Sequence, residues 1–204
     1  MIIVGVILGG GQSRRMGGGD KFLREIGGKR MLDHTLARLR PQVDRLILSA
    51  NGNRQTLSGY GLPIVEDGPY AGYGPLAGVL AALHWAEATL GSDTVVVSVP
   101  ADTPFIPLDL AARLIEALHP NTNAAIAASH GQDHHAVAAW PVSVSGLMED
   151  WLRRGESTAV KDFLHSGRTK TVDFTATSHD PFFNVNTLDE LRQAQAMSAT
   201  CPDA

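Results

Sequence analysis

The stretch from Leu8 to Lys21, LGGGQSRRMGGGDK, contains six glycines, two arginines and a lysine. Glycine lets the backbone adopt positive φ and approach an anion closely, so that successive N–H groups can converge on phosphate oxygens. Arg14, Arg15 and Lys21 add positive charge, and neutralising a triphosphate makes pyrophosphate a better leaving group. This composition indicates a loop that binds a phosphorylated ligand, and its positive charge suits both the binding and the chemistry of a triphosphate.

The loop matches neither of two common phosphate-binding motifs. No Gly-Lys-Ser or Gly-Lys-Thr follows the first glycine, as the Walker A motif requires. The GxGxxG fingerprint, with an acidic residue about 20 positions later, is also absent. For the loop alone, a solvated surface loop remains the alternative. Its place directly after an apolar strand, together with its cations, favours the binding site.

Asp102, in the segment VVVSVPADTPFIP, is the second candidate for chemistry. It follows a run of β-branched residues and would therefore stand at the end of a buried strand. Mg²⁺ takes one or two carboxylates together with phosphate oxygens and water, so one aspartate here can hold the ion between triphosphate and acceptor. Thr103 and Pro104 also permit a helix cap or an Asx turn, which for Asp102 alone is an equal alternative.

The first half of the chain predicts the sheet that must position these residues. Apolar runs bounded by turn residues predict strands at Ile2 to Leu8, Arg45 to Ser49, Pro63 to Val65 and Thr94 to Val99. Helical spacing of apolar residues predicts helices over Met31 to Leu39, Pro75 to Leu90 and Leu108 to Leu118. This alternation predicts a parallel sheet with helices on both faces and ligands at the carboxyl ends of its strands.

The second half of the chain has a looser pattern. The elements predicted there are a strand near Ala124 to Ala128, an apolar stretch at Ala136 to Trp140, and helices near Ser143 to Arg153, Ala159 to His165 and from Leu188. No repeat or long linker divides the chain. We therefore expect a single domain over residues 1–204 with an α/β fold, a Rossmann-like three-layer sandwich with a mostly parallel central sheet.

Composition excludes several classes of protein. The 204 residues are 44% hydrophobic and 19% charged with a net charge of −4, which argues against a disordered, membrane-embedded or nucleic-acid-binding protein. The only cysteine, Cys201, allows neither an intrachain disulfide nor a cysteine-rich metal site. The start, MIIVGVILGGG, lacks the basic lead-in of a secretory signal and falls short of the ~20 residues of a spanning helix. We expect a cytoplasmic monomer.

Four segments together resemble the molybdenum cofactor guanylyltransferase family, also called the MobA family. They are the Leu8 to Lys21 loop, GPLAG at Gly74 to Gly78, PADTPF at Pro100 to Phe105 and FFNVNTLDEL at Phe182 to Leu191. The resemblance implies a nucleotidyltransferase-type fold and transfer of GMP from GTP to the terminal phosphate of molybdopterin, with release of pyrophosphate. It implies Mg²⁺ as cofactor, and as partners GTP, molybdopterin, other molybdenum cofactor assembly proteins and molybdoenzyme chaperones.

The resemblance also implies roles for individual residues. Those on the GTP side would be Leu8, Gly9, Gly10, Lys21, Ser49, Asp67 and Asp102. Those that carry the chemistry would be Arg15, Lys21 and Asp102, with Asp102 also the ligand of Mg²⁺. Those on the acceptor side would be His134, Asn184 and Asn186. Residues 1–120 would form the nucleotide-binding part and residues 121–200 the acceptor-binding part.

Three positions depart from the family pattern. Gly9 replaces the alanine of the usual LAGG, and Leu188 stands where proline is common. The asparagine often found after the second strand appears as Ser49, with Asn51 two residues later, so the residue that makes this nucleoside contact stays open.

Other functions remain as alternatives. A CTP-dependent molybdopterin cytidylyltransferase or a sugar or isoprenoid nucleotidyltransferase would have a similar loop, although those sequences generally read LAAG rather than carrying the pair Gly10-Gly11. A non-catalytic carrier would bind GTP without turnover. The group His130, Asp133, His134 and His135 predicts no metal site, because adjacent residues of a strand point to opposite faces.

Overall fold

The computed structural model describes residues 1–9, 21–52, 54–174 and 179–200. The strands in these ranges are β1 (Ile2–Leu8), β2 (Glu25–Ile26), β3 (Lys29–Arg30), β4 (Arg45–Ser49), β5 (Ile64–Val65), β6 (Thr94–Pro100), β7 (Ala124–Ser129), β8 (Gln132–Pro141) and β9 (Thr169–Asp173). The α-helices are α1 (Met31–Leu39), α2 (Arg54–Leu57), α3 (Pro75–Leu90), α4 (Leu110–Glu116), α5 (Ser145–Arg154), α6 (Val160–Ser166) and α7 (Leu188–Thr200). No helix in these ranges combines the length and the apolar character needed to span a membrane.

Within the described ranges, seven strands form one sheet in the order β5-β4-β1-β6-β8-β7-β9, and β2 pairs with β3 in a separate hairpin. Only β8 runs antiparallel to its neighbours β6 and β7, which confirms the expected mostly parallel sheet. The reversal follows from the turn at His130 and Gly131, where φ is 50° and 75°. Two successive positive φ values are typical of a tight hairpin turn.

The two faces of the sheet bury separate apolar clusters, because alternate residues of a strand point to opposite faces. Val4, Val6 and Leu8 of β1 pack with residues of α3, α5 and α6. Ile7 of the same strand packs with residues of α1 and α4 on the other face. Helix α7 covers the β2–β3 hairpin through Ala194, which clusters with Ile26. The result is the three-layer sandwich expected from the sequence.

Most predicted elements are confirmed, with differences at the edges. The strands β1 and β4 and the helix α3 have the predicted bounds. Helix α4 is shorter than predicted and runs from Leu110 to Glu116, because Asp109 has the non-helical φ of −109° and ψ of 11° of a cap residue. Neither β9 nor the β2–β3 hairpin was predicted. The residues of β9 are all exposed or half-buried, so this strand carries no apolar run.

Candidate active site

A cleft of about 440 Å³ opens at the carboxyl ends of β1, β4 and β6. Its lining residues are Leu8, Ser49, Ala50, Asn51, Asp67, Gly72, Gly74, Pro75, Gly78, Pro100, Asp102, Ala136 and Asn184. This is the edge at which a parallel α/β sheet binds its ligands. The N-terminus of α3, at Gly74 and Pro75, also borders the cleft, and the positive end of its dipole favours an anion there.

Two glycines allow the floor of the cleft to pack closely. A Cβ atom on Gly78 of α3 would lie 2.5 Å from Ser49 Oγ and 3.2 Å from Leu8 Cδ2. Gly9 donates from its N–H to Ser49 O at 2.7 Å, and a Cβ atom there would lie 3.1 Å from the same oxygen. The strand ends and α3 therefore meet so closely that a side chain at Gly78 or at Gly9 would be crowded.

Asn51 and Asp67 form a reciprocal pair at the β4 side of the cleft. Asp67 N donates to Asn51 Oδ1 at 2.9 Å, and Asn51 Nδ2 donates to the Asp67 carboxylate. Burial raises the pKa of Asp67, while hydrogen bonds from Asn51 and Ser49 act in the opposite direction. Ser49 and Asn51 both line the cleft, so the structure brings together the two residues between which the sequence left the nucleoside contact open.

Asp102 is the second residue after the end of β6 and is only 7% exposed. Its position is fixed because Ala101 N donates to Leu8 O at 3.1 Å and Val185 N donates to Asp102 O at 3.1 Å. Asn184 Nδ2 donates to Asp102 Oδ1 at 2.9 Å. These contacts bring the FNVN segment to the end of the central strand β6.

The remaining polar atom of Asn184, Oδ1, is buried and has no hydrogen-bond partner in the part of the chain that the structure describes. An unsatisfied buried acceptor costs about 1–3 kcal/mol, a cost that a bound donor or cation would remove. Carboxylate and amide oxygens are ligands that Mg²⁺ accepts, with phosphates and water completing its shell. No group of three or more His, Cys, Asp or Glu side chains suited to a metal occurs among the described residues. Asp102 and Asn184 thus fit an ion held mainly by substrate.

Comparison with known proteins identifies the family. The family model of the MobA-like NTP transferase domain matches residues 5–171. The molybdenum cofactor guanylyltransferase of Acidiphilium cryptum is 45% identical over 191 residues, covering 94% of this chain and 93% of that protein. The enzyme of the same name from a Bradyrhizobium species is 39% identical, covering 97% and 93%. The chain belongs to the molybdenum cofactor guanylyltransferase family.

Solved structures share the fold of this guanylyltransferase family member. Molybdopterin-guanine dinucleotide biosynthesis protein A from Archaeoglobus fulgidus superposes with a TM-score of 0.77 at 22% identity, covering 98% of this chain and 100% of that one. The 4-diphosphocytidyl-2C-methyl-D-erythritolsynthase of Anaerococcus prevotii gives a TM-score of 0.70 at 15% identity, covering 97% and 96%. These structures confirm the expected nucleotidyltransferase-type fold, and the family match described above confirms the expected enzyme class.

The cleft contains most of the residues that the family resemblance places on GTP. Leu8, Ser49, Asp67 and Asp102 line it, and Gly9 adjoins its floor. Gly10, Arg14 and Arg15 lie outside the described residues. Lys21 begins a 3-10 helix, Lys21–Leu23, but its side chain lies outside the described part of the chain. The roles of Gly10, Arg15 and Lys21 therefore stay predictions.

The acceptor-side residues are separated in the structure. Asn184 lines the cleft, but His134 and Asn186 do not. His134 Nε2 lies 2.7 Å from Ser129 Oγ, and only 12% of the His134 side chain is exposed. Asn186 is exposed, and its N–H donates to Glu190 Oε2 at 2.7 Å, ahead of α7. Direct acceptor contacts by His134 and Asn186 stay predictions.

The sequence did not reveal several lining residues. Gly72, with φ of 90°, and Ala136 carry no chemical signal of their own. The bond between Asn51 and Asp67 depends on two separate strand ends, β4 and β5, that only the fold brings together. Three other lining residues, Gly74, Pro75 and Gly78, belong to the GPLAG motif that contributed to the family resemblance.

Proposed function

We propose that this protein transfers GMP from GTP to the terminal phosphate of molybdopterin, forming molybdopterin guanine dinucleotide and pyrophosphate. The observation that carries the proposal is the pairing of Asp102 with Asn184 in a cleft that Asn51 and Asp67 border. This arrangement supports the proposal, because polar groups suited to a nucleoside and oxygens suited to a metal–phosphate complex belong to residues of one cleft. Membership of the guanylyltransferase family supports the choice of substrates.

The nucleoside would lie against the strand ends β1, β4 and β5. The Asp67 carboxylate and the Asn51 and Ser49 side chains present hydrogen-bonding groups on one wall of the cleft. Their mutual bonds hold them in place before the ligand arrives, which lowers the entropy cost of binding. Leu8 supplies an apolar floor for the base or ribose.

The triphosphate would lie between the α3 N-terminus and Asp102. The N-terminus of α3 favours negative charge, and Arg15 and Lys21 would add the neutralising cations that the sequence predicts. Asp102, with Asn184 Oδ1 as the other protein oxygen, would hold Mg²⁺. When bound, this ion supplies positive charge that polarises the phosphoryl oxygens and stabilises the transition state.

The acceptor phosphate would approach from the Asn184 side of the cleft. One of its oxygens attacks the α-phosphorus of GTP. The bond between that phosphorus and the oxygen bridging the α- and β-phosphates breaks, and pyrophosphate leaves. The attacking phosphate is already anionic near neutral pH, so it requires no general base. Positioning and charge neutralisation are then the main contributions of the protein.

The direct test incubates the purified protein with molybdopterin, Mg²⁺ and GTP, CTP or ATP in parallel. We expect dinucleotide and pyrophosphate with GTP, and their loss in the Asp102→Ala variant. Preferred use of CTP would assign the sister cytidylyltransferase activity instead. Binding of GTP without product would assign a carrier. A cytoplasmic location, a monomeric state and contacts with other assembly proteins stay predictions of the sequence.

A further inference from the structure

Ser129, His134 and Asp180 form a polar cluster outside the lining of the cleft. Ser129 Oγ lies 2.7 Å from His134 Nε2 and donates to Asp180 Oδ1, also at 2.7 Å. Ser129 is 1% exposed, and none of the three residues lines the cleft. The cluster cannot act as a hydrolytic triad. Ser129 is buried, and its hydroxyl donates its proton to Asp180, so His134 is not placed to remove that proton.

The single proton of the Ser129 hydroxyl determines the tautomer of His134. A serine hydroxyl has one proton, and here Asp180 receives it. His134 Nε2 must therefore carry a proton and donate it to a lone pair of Ser129 Oγ. Burial lowers the pKa of His134, although the nearby Asp180 and Asp133 act in the opposite direction. The neutral Nε2–H tautomer is the form that satisfies all these contacts.

The cluster holds the turn that precedes Asn184. Asp180 Oδ1 accepts a second bond from Phe182 N at 2.9 Å, and Phe183 N donates to Asp180 O at 3.1 Å. The His134 ring packs on Phe182 with the ring centroids 4.7 Å apart. Phe182 in turn packs edge-on against Phe174 at 5.3 Å. The turn is thus fixed by hydrogen bonds on its backbone and by ring packing on its side chain.

We propose that His134 and Ser129 are positioning residues that act through the Asp180 turn on Asn184, and through Asn184 on Asp102. The proposal differs from a direct acceptor contact by His134, because His134 Nε2 is already engaged. The bond from Val185 N to Asp102 O restrains the same segment independently. We therefore expect loss of the cluster to loosen the Asn184 side chain without releasing the whole segment. The inference rests on the proposed function only for the roles of Asn184 and Asp102.

The variants Ser129→Ala and His134→Leu test the proposal by removing the bridge and the donor, respectively. His134→Gln retains an N–H donor of similar reach and serves as the conservative variant. Ser145→Ala is the matched control, because Ser145 is also buried at 7% exposure and donates to a carboxylate, Glu87 Oε2, at 3.0 Å. Ser145 does not line the cleft.

The first readout is nuclear magnetic resonance of the full chain without metal or nucleotide. We expect the Nε2–H tautomer for His134 in the unmodified protein. Ser129→Ala and His134→Leu should speed water exchange of the Asn184 side-chain amide protons and shift their signals. His134→Gln, which keeps the donor but loses the ring contact with Phe182, should have a smaller effect, and Ser145→Ala should have none. An Nδ1–H tautomer, or an Asn184 amide that responds alike to Ser129→Ala and Ser145→Ala, would overturn the proposal.

The second readout is binding of Mn²⁺ in the presence of GTP, followed by electron paramagnetic resonance. Loss of a residue that orients a metal ligand typically weakens binding about 10- to 100-fold, so Ser129→Ala and His134→Leu should weaken Mn²⁺ binding about tenfold. Equal Mn²⁺ affinity in Ser129→Ala and Ser145→Ala would contradict the proposal. If the unmodified protein makes no dinucleotide, the proposed function fails, but the metal-free measurement still decides whether the cluster positions Asn184.

Discussion

Asn184 Nδ2 donates to Asp102 Oδ1 at 2.9 Å, joining residues 82 positions apart. Because the amide nitrogen faces the carboxylate, the amide oxygen is left buried and without a partner in the described chain. Both residues line the cleft, so a carboxylate lies there beside this unpaired amide oxygen, and both groups are ligands that a cation accepts.

The Asn184→Asp variant tests this orientation by placing a second carboxylate beside Asp102. Loss of the donor to a buried carboxylate should lower the free energy of unfolding by about 1–3 kcal/mol in the absence of metal. A cation between the two carboxylates stabilises the folded state only, so Mg²⁺ should raise the melting temperature more than in the unmodified protein. Thermal unfolding with and without Mg²⁺ measures both effects. Asn121→Asp, on the exposed surface, is the control and should show no additional response to Mg²⁺.

The Asp102→Asn variant tests the proposed metal ligand at nearly constant volume. Removing this charge should lower the rate of dinucleotide formation by at least about a hundredfold, because charge stabilisation at a transferring phosphate carries much of the catalysis. Steady-state rates over a range of Mg²⁺ concentrations provide the measurement. Asp109→Asn is the matched control, because the Asp109 side chain is 60% exposed and pairs with Arg113 at 3.7 Å. A rate for Asp102→Asn close to that of the control would remove Asp102 from the mechanism.

The sequence predicted the part of the site that depends on local pattern. Asp102 was found because it directly follows an apolar run, and its place at the end of β6 follows from the parallel sheet. The partner of Asp102 was not found, because the bond to Asn184 depends on the path of the chain between β9 and α7. The family resemblance placed Asn184 on the acceptor side but gave no contact with Asp102.

The position of His134 shows a second limit of sequence patterns. Alternation along β8 correctly predicts that His134 and His135 point to opposite faces, but it does not say which face each residue takes. Ile126 pairs with Ala138 and Ala127 with His134, so the register shifts between these pairs. This irregularity reverses which residues of β8 point to each face of the sheet on its two sides. His134 consequently packs against Phe182 instead of lining the cleft with Ala136.

The Gly78→Ala variant tests the close packing beneath the nucleotide. The added Cβ atom would lie 2.5 Å from Ser49 Oγ and 3.2 Å from Leu8 Cδ2, so the Ser49 hydroxyl must rotate away or α3 must shift from the end of β4. Overpacking of this kind costs about 1–3 kcal/mol, and we also expect a higher KM for GTP. Gly146→Ala is the control, because nothing lies within 4 Å of its Cβ position and alanine favours a helix. Urea unfolding and GTP kinetics distinguish the two variants, and equal stability would contradict the packing argument.

The Asp67→Asn variant tests whether burial of this carboxyl group opposes stability. Burial raises the pKa of Asp67, so the folded protein holds this proton more tightly than the unfolded chain does. The stabilisation from the bound proton is complete below the unfolded pKa and is lost as pH rises through the folded pKa. Relative to the unmodified protein, Asp67→Asn should therefore gain stability as pH rises from about 4, the ordinary pKa of aspartate, through the raised pKa of Asp67.

The same substitution should weaken GTP binding, because the proposed nucleoside contact needs the carboxylate. Urea unfolding at several pH values and the KM for GTP provide the two measurements. A stability difference independent of pH would show that Asn51 and Ser49 offset the burial of Asp67 completely. An unchanged KM for GTP would contradict the proposed contact between Asp67 and the nucleoside. Higher stability with weaker GTP binding is the expected result, since a charge buried for its ligand costs stability until the ligand binds.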